Sequence, residues 1–432
     1  MDVLIPIEIS KRELLYKLVL CNYLASHGFN CFLGTKSNIN LLISKFRNFL
    51  YIDKGYHMDN SEKIYEKIKI NNGIIISLDE EGAVDFKDGS TLKNRYSKIL
   101  FKFSQLVFFW GKYQNDLVID NNESNTNCII SGHPRFELLK KEYNFLYDQN
   151  VKSINKNYDK FILINTNMSF GNNIRGDEFI INNYSKRFKN IESLIKNDKI
   201  KIKYFTYLIK KLINKNFKVV IRPHPEENEE TYKKILYGFK NFYVSKEYSS
   251  IPWILASKVM IHSDCTTGVE AYMLGKKSIS FMHNKFDKDY LTVLPQKCSF
   301  VIDNDDEIID FIYKDKFKLK NNKIVKELYD CFNFNKNPFT IIVNSIKKII
   351  GSNAHITNHS NKLPLIKLQY QIFRKNVFKF FTGQDKLYLT KLEGFNKSNV
   401  EYHQNHIIKI NKNFKNNKIE KVVDDLFLIK KK

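Results

Sequence analysis

Apolar positions along this chain come in two rhythms. Short continuous runs alternate with longer stretches in which Leu, Ile and Phe recur every three or four residues, the periods of buried strands and of amphipathic helices. Val3–Ile7 is a candidate strand, and Lys11–His27 reads as a helix through Leu14, Leu15, Leu18 and Leu20. Asn30–Leu33 is a second strand, stopped by Gly34; Leu41–Phe46 is helical and Phe49–Ile52 strand-like. GIIISL at Gly73–Leu78 has no polar alternation until its serine, which suits a strand covered on both faces. Leu106–Trp110 and Cys128–Ser131 continue the series. Residues 140–160 are polar and rich in Asn, Lys and Tyr, and read as a linker.

A second alternating series follows. It has strands at Phe161–Asn165, Phe217–Ile221, Val259–His262 and Ser278–Phe281, with helices at Ile202–Asn214 and at Thr266–Leu274, the latter closed by Gly275. Strands alternating with helices predict parallel sheets with helices on both faces. The expected fold class is therefore α/β, with Rossmann-like doubly wound domains at 1–150 and 151–350 and ligands beyond the carboxyl ends of the strands. Residues 351–432 break the pattern. They carry a net charge of about +10 and read as a basic C-terminal extension. Within them Leu365–Phe381 (LIKLQYQIFRKNVFKFF) interleaves aromatics with lysines. It suits either a helix lying on an anionic leaflet or one packing back on the domains.

Composition narrows the picture. At 432 residues and 43% hydrophobic, the chain can fill two cores. Its formal charge of +24 points to an anionic partner, although the joint abundance of Lys, Asn and Ile is also what an A+T-rich genome produces. Arginine is scarce and no RNA-binding or helix-turn-helix signature is present, so nucleic acid is not expected as a partner. Cys21, Cys31, Cys128, Cys265, Cys298 and Cys331 form no CxxC pair and read as buried thiols in a reducing compartment. The start lacks the basic-then-apolar pattern of a signal peptide, and no run reaches eighteen apolar residues. The expectation is a cytoplasmic protein, soluble or peripheral at the inner membrane.

Candidate chemistry sits at strand ends. Asp79-Glu80-Glu81-Gly82 follows GIIISL. Crowded carboxylates raise one another's pKa, so one of them suits a general base, and Gly82 suits a sharp turn with room for a ligand. The plain alternative is a solvated acidic turn. Arg222-Pro223-His224-Pro225 follows KVVI, and its prolines fix the backbone around His224. Arg222 suits a phosphate, and His224 a phosphate or a departing group; a stiff loop with a satisfied histidine is the alternative. His262 to Ala271 runs from a strand through Ser263, Thr266 and Thr267 into a helix, an arrangement that suits an anion, with Glu270 placed to reach a ribose. Simple N-capping by Ser or Thr is compatible with it. Asn165-Thr166-Asn167 occupies the first phosphate turn of the second domain, and Gly132-His133-Pro134-Arg135 closes the first. Asp303–Asp306 reads as a solvated turn rather than a metal site.

At these positions the chain resembles a known group. Glu80-Glu81-Gly82 and His224-Pro225 look like the acidic and HP motifs of bacterial sialyl- and polysialyltransferases, and Ser263 to Thr267 like their serine-rich motif with Thr as the second hydroxyl. The order LDEEG, FFWGKYQND, SGHPRFELL, a TN turn, RPHPEE and SDCTTGVEAYMLGK is similar to the bacterial surface carbohydrate biosynthesis proteins and, in pattern, to Kdo transferases. The resemblance spans about residues 1–350 and leaves the tail aside. It implies a GT-B glycosyltransferase, two domains facing a central cleft, acting on lipopolysaccharide or capsule. A CMP-linked acidic sugar would be the donor and a lipid-linked or oligosaccharide glycan the acceptor, with no resident cofactor or metal. Asp79, Glu80, Glu81 and His224 would be catalytic, with Glu80 the implied base and Asp79 an extra acid that leaves the choice open. Arg222, Pro225, Asn165, Thr166, Asn167, Ser263, Thr266, Thr267 and Glu270 would hold the donor; Gly82, His133 and Arg135 would lie on the acceptor side. A CDP-polyol phosphotransferase and a non-catalytic scaffold of polysaccharide assembly are the alternatives.

Overall fold

Fourteen strands are present among the described residues: β1 (Asp2–Ile7), β2 (Asn30–Thr35), β3 (Leu50–Asp53), β4 (Ile74–Leu78), β5 (Ser104–Phe109), β6 (Asn127–Ile130), β7 (Phe161–Asn165), β8 (Lys218–Arg222), β9 (Phe242–Val244), β10 (Val259–His262), β11 (Ser278–Phe281), β12 (Phe300–Ile302), β13 (Asn417–Val423) and β14 (Leu426–Lys431). They belong to a computed structural model that describes the chain apart from residues 58–59, 83–88, 120–125, 186–187, 189, 316, 318–335, 353–360 and 383–390. Two compact units result, one from Met1–Gly82, Gly89–Leu138 and Val325–Lys432, the other centred on Leu139–Ile324.

The first unit carries an eight-stranded sheet in the order β13-β14-β2-β1-β3-β4-β5-β6. β1 to β6 are parallel. Their order reverses direction at β1, so the topological switch lies between β1 and β3. The second unit carries six parallel strands in the order β12-β11-β10-β7-β8-β9, which is the Rossmann order with its switch between β7 and β10. The strand interiors are continuous apolar runs, as double coverage requires: Phe161 to Ile164 and Val219 to Ile221 are all buried. The doubly wound α/β character expected of both halves is present.

Three local expectations are corrected. Residues 141–158 form a 3-10 turn, Lys141–Leu146, and a helix, Asp148–Tyr158, rather than a linker. Their polar composition belongs to exposed faces, while Leu146 and Ile154 are buried, Ile154 against Phe161 and Trp253. Gly34 does not stop β2 but lies inside it, opposite Leu426 of β14. A Cβ there would come within 2.6 Å of Leu426 Cδ1 and 3.2 Å of the Asp425 carbonyl, so β14 approaches closely and a side chain at this position would have to displace Leu426. Third, residues 351–432 are not simply an appended extension. β14 pairs antiparallel with β2, β13 pairs with β14, and Leu426, Phe427, Leu428 and Ile429 are buried in the first unit. Cys21, Cys31 and Cys298 are buried, Cys128 and Cys265 are half-buried, and Cys331 lies outside the described residues.

Candidate functional site

In the first unit, chemistry gathers where β1, β3 and β4 end. β4 runs directly into Asp79, Glu80 and Glu81, and the three carboxylates are divided among different cations. Asp79 is gripped by Arg95, whose Nε lies 3.1 and 3.0 Å from its two oxygens and whose Nη2 closes a second bond. The Trp110 indole donates to the Asp79 carbonyl at 2.7 Å. Glu81 meets Arg95 at 3.1 Å and Arg12 at 3.6 Å. Glu80 is buried. Its Oε1 accepts from the Tyr16 hydroxyl and lies 3.1 Å from Lys17 Nζ, while its Oε2 has no hydrogen-bond partner.

The mutual pKa elevation expected of three adjacent acids does not occur at Glu80. Burial pushes its carboxyl up, but Lys17, with Arg12, outweighs burial and leaves it below the usual range. Glu80 is therefore ionised near neutral pH. Lys17 is itself held by Glu13 one turn earlier, at 2.7 Å, and by the Pro6 carbonyl at 2.8 Å. The fully buried Glu13 also binds Lys54 at 2.7 Å and accepts from the backbone N–H groups of Glu8 and Ile9, which tie down the start of the helix Ser10–Ser26. Glu8, at the end of β1, extends the chain of charges to Lys54 at 3.0 Å and Lys36 at 2.7 Å.

His133 closes the first unit's site. Its Nδ1 accepts from the Arg135 N–H at 3.1 Å, so the neutral ring carries its proton on Nε2. Burial holds its pKa down to about 3 despite Glu80, and Nε2 has no partner. The ring packs on Tyr16 and Trp110, with centroids 5.2 and 4.8 Å away. An unpartnered acceptor on Glu80 and an unpartnered donor on His133 thus share Tyr16 as a neighbour. Arg135 places its guanidinium over Phe136 and Trp110. Gly82 makes no room for a ligand, contrary to expectation. A Cβ there would fall 2.0 Å from Gln114 Nε2 and 2.7 Å from the Trp110 ring, so protein packing alone requires the glycine.

In the second unit, the ends of β10, β7 and β8 lie side by side, with Asn165 in register with Arg222 and Ile164 with Ile261. Five buried polar atoms at these strand ends have no partner: Asn165 Oδ1, Asn167 Oδ1, His262 Nδ1, Ser263 Oγ and Arg222 Nε. Buried polar groups are nearly always satisfied, so a row of orphans on three adjacent strand ends marks a place for a polar ligand. Arg222 is fixed by donation to the Tyr248 carbonyl at 2.9 Å, and burial lowers its pKa, with Glu270 opposing.

The loop after Arg222 is built around Glu227. This fully buried carboxylate accepts from Thr166 Oγ1 at 2.9 Å, the Met168 N–H at 2.8 Å, the Tyr232 hydroxyl at 2.5 Å and the His224 N–H at 3.3 Å. Thr166 therefore braces the loop through its hydroxyl. The Pro225 carbonyl accepts from Lys246 at 3.3 Å. His224 is half-buried, and its Nδ1 accepts from the Glu226 N–H at 3.3 Å, which leaves the proton on Nε2. Thr266 takes the N-cap position of the helix Thr267–Met273 with helical dihedrals and no side-chain cap bond, so the expected hydroxyl capping is absent there. The Thr267 hydroxyl is buried with no hydrogen-bond partner, and Glu270 accepts from Ser250 at 2.6 Å. Asp305 and Asp306 open the helix Asp305–Tyr313 under an Asn304 cap and pair with Lys211, rather than forming a turn.

No family model matches this sequence, and no curated protein matches it. Solved structures do resemble the chain. It is similar to the wall teichoic acid polymerase TagF, at 12% identity over 83% of this chain and 90% of that one, with a TM-score of 0.47. It is similar to the UDP-GlcNAc 2-epimerase of Methanocaldococcus jannaschii, at 11% identity over 81% and 100% of the two chains, with a TM-score of 0.48. The UDP-GlcNAc 2-epimerase of Neisseria meningitidis gives 15% identity over 81% and 100%, with a TM-score of 0.47.

Sequence reasoning found the strand-end motifs and missed what fixes them. Arg12, Glu13, Tyr16, Lys17, Lys54 and Arg95 shape the acidic end of β4, and Glu227, Asp264 and Lys201 shape the second site. Asp264 accepts from Asn167 and Lys201, both at 3.1 Å, and from the Thr292 N–H at 3.0 Å. One signal was available: Glu13 and Lys17 stand four apart on a helix, the spacing of an ion pair.

Proposed function

We propose that this chain is a metal-independent glycosyltransferase of the GT-B kind, acting in bacterial surface polysaccharide assembly with a nucleotide-activated sugar as donor. The observation that carries the reading is the buried, ionised Glu80 with one oxygen unpartnered at the end of a parallel strand. Asp79 has both oxygens committed to Arg95, and Glu81 is shared by two arginines, which favours Glu80 as the base. An acceptor hydroxyl would receive a hydrogen bond from His133 Nε2 and give its proton to Glu80 Oε2 as its oxygen attacks the anomeric carbon. The bond from that carbon to the donor phosphate breaks, and the electron pair leaves on the phosphate. Arg222 and the Nε2–H of His224 would stabilise that charge. The orphaned groups of Asn165, Asn167 and Ser263 suit the polar contacts of a bound nucleotide.

The donor class, a CMP-linked acidic sugar, rests on the resemblance of the LDEEG, RPHPEE and SDCTTG motifs. It is tested by thermal shift with CMP, CDP-glycerol, UDP and GDP. At a hundredfold excess over Kd a ligand of the folded state adds about 2.7 kcal/mol, roughly 5–10 °C for a domain of this size. CMP alone should do so. A shift with CDP-glycerol and none with CMP would move the chain to polyol-phosphate transfer. Silence from every nucleotide would remove the donor site from the reading.

A further inference from the structure

The basic segment near the carboxyl end answers neither of its two expected readings alone. The helix Leu365–Thr382 is held to the first unit by one face: Leu368 is fully buried in that core, Ile372 packs against it, and Gln371 donates to Asn38 at 3.5 Å. The other face is bare. Ile366 is 83% exposed, Tyr370 61%, Phe373 63% and Val377 37%. At about 100° per residue these four positions fall within roughly 60° of one another, a single stripe along the helix.

The stripe is bordered by positive charge. Lys367 and Arg374 lie about 80–100° round the helix from Ile366, along one edge of the stripe, and residues 361–382 contain no acid. Lys367 also stands beside the exposed Lys45. The hydrogen-bond contact and charge of Lys367, with Arg47 behind them, push the Lys45 pKa down. The neighbouring charges felt by this ammonium group are all cationic, an arrangement that an external anion relieves. A row of large apolar and aromatic side chains next to unneutralised lysines matches the boundary of an anionic bilayer, where rings sit at headgroup depth and cations meet lipid phosphates. No helix among the described residues is long and apolar enough to cross a membrane, so the contact would lie on the surface.

We propose that the exposed face of the helix Leu365–Thr382, with Lys45 and Lys367 at its border, docks this protein on an anionic lipid surface. The inference stands apart from the transfer reading. The test is cosedimentation of the full chain with vesicles of phosphatidylcholine alone and of phosphatidylcholine containing phosphatidylglycerol, at low and at high salt. Wild type should pellet with the anionic vesicles at low salt and only weakly with the neutral ones. Phe373→Asp should abolish pelleting. Lys367→Glu with Arg374→Glu should weaken it about tenfold or more, since each surface cation contributes roughly fivefold. Melting temperatures equal to wild type establish that these variants are folded, as their exposed positions lead us to expect. Three results would overturn the proposal: no preference for anionic vesicles, unchanged pelleting of Phe373→Asp, or a wild-type oligomer that Phe373→Asp dissolves, which would make a second copy the occupant of the stripe.

Discussion

At the scale of single residues, environment rather than identity decides what each acid does. Glu80 and Asp198 are both buried, yet their carboxyls move in opposite directions. Lys17 wins over burial at Glu80. At Asp198 burial wins over Lys201, and Asp264 and Glu227 add to it, so its pKa is pushed up to about 7 from 3.8. A raised folded-state pKa means that the folded protein holds the proton more tightly than the unfolded chain. The stability this lends is full below about pH 4 and is lost as pH rises through about 7. Asp198→Asn removes the titration while keeping an oxygen to accept from the Phe170 N–H, which Asp198 now does at 3.0 Å. Denaturant unfolding should therefore show the variant gaining roughly 2–4 kcal/mol on wild type between pH 4 and pH 8. Parallel stability curves for the two proteins across that range would contradict the assignment.

At the scale of elements, β14 is the piece whose removal tells most. Four consecutive buried apolar side chains, Leu426 to Ile429, contribute about 1.5–3 kcal/mol each when buried. Their sum is comparable to the 5–15 kcal/mol that separates a typical folded domain from its unfolded chain. Ending the chain at Asn416 should therefore unfold the first unit, seen as lost protection from protease. Gly34→Val, which drives a side chain into Leu426, should lower stability by about 1–3 kcal/mol. Wild-type stability in either variant would contradict the pairing of β14 with β2. The same strand shows what the sequence made legible. β7 and β10 match their expected limits because each is an apolar run closed by a polar residue, and β11 matches although its sequence, SISF, alternates serine with apolar residues. β14 is just as apolar in LFLI, but it lies in a Lys- and Asn-rich tail, and its partner is nearly four hundred residues earlier. The helix Ile191–Asn214 was legible only from Ile202, because after Ile191, Leu194 and Ile195 its next turns bury Asn197, Asp198 and Lys201 where a continuous core face would carry leucines. Of these, Lys201 pairs with both Asp198 and Asp264, so the break in pattern leads to the site.

At the scale of the whole molecule, each unit gathers a set of unsatisfied and strongly charged groups at the carboxyl ends of its parallel strands, where doubly wound folds bind ligands. The strand ends were readable from sequence because a motif and its strand are contiguous. The networks behind them were not, since Glu13 meets Lys54 across forty-one residues and Lys17 meets Glu80 across sixty-three. The central claim is that Glu80 takes the acceptor's proton while the second unit holds the nucleotide. Its most direct measurement is acceptor-dependent release of CMP from CMP-linked acidic sugars by wild type, Glu80→Gln and His224→Ala, with CMP binding measured alongside. Glu80→Gln should bind CMP as wild type does and release it about a thousandfold more slowly, and His224→Ala should lose transfer while staying folded. Release by Glu80→Gln at the wild-type rate would contradict the account.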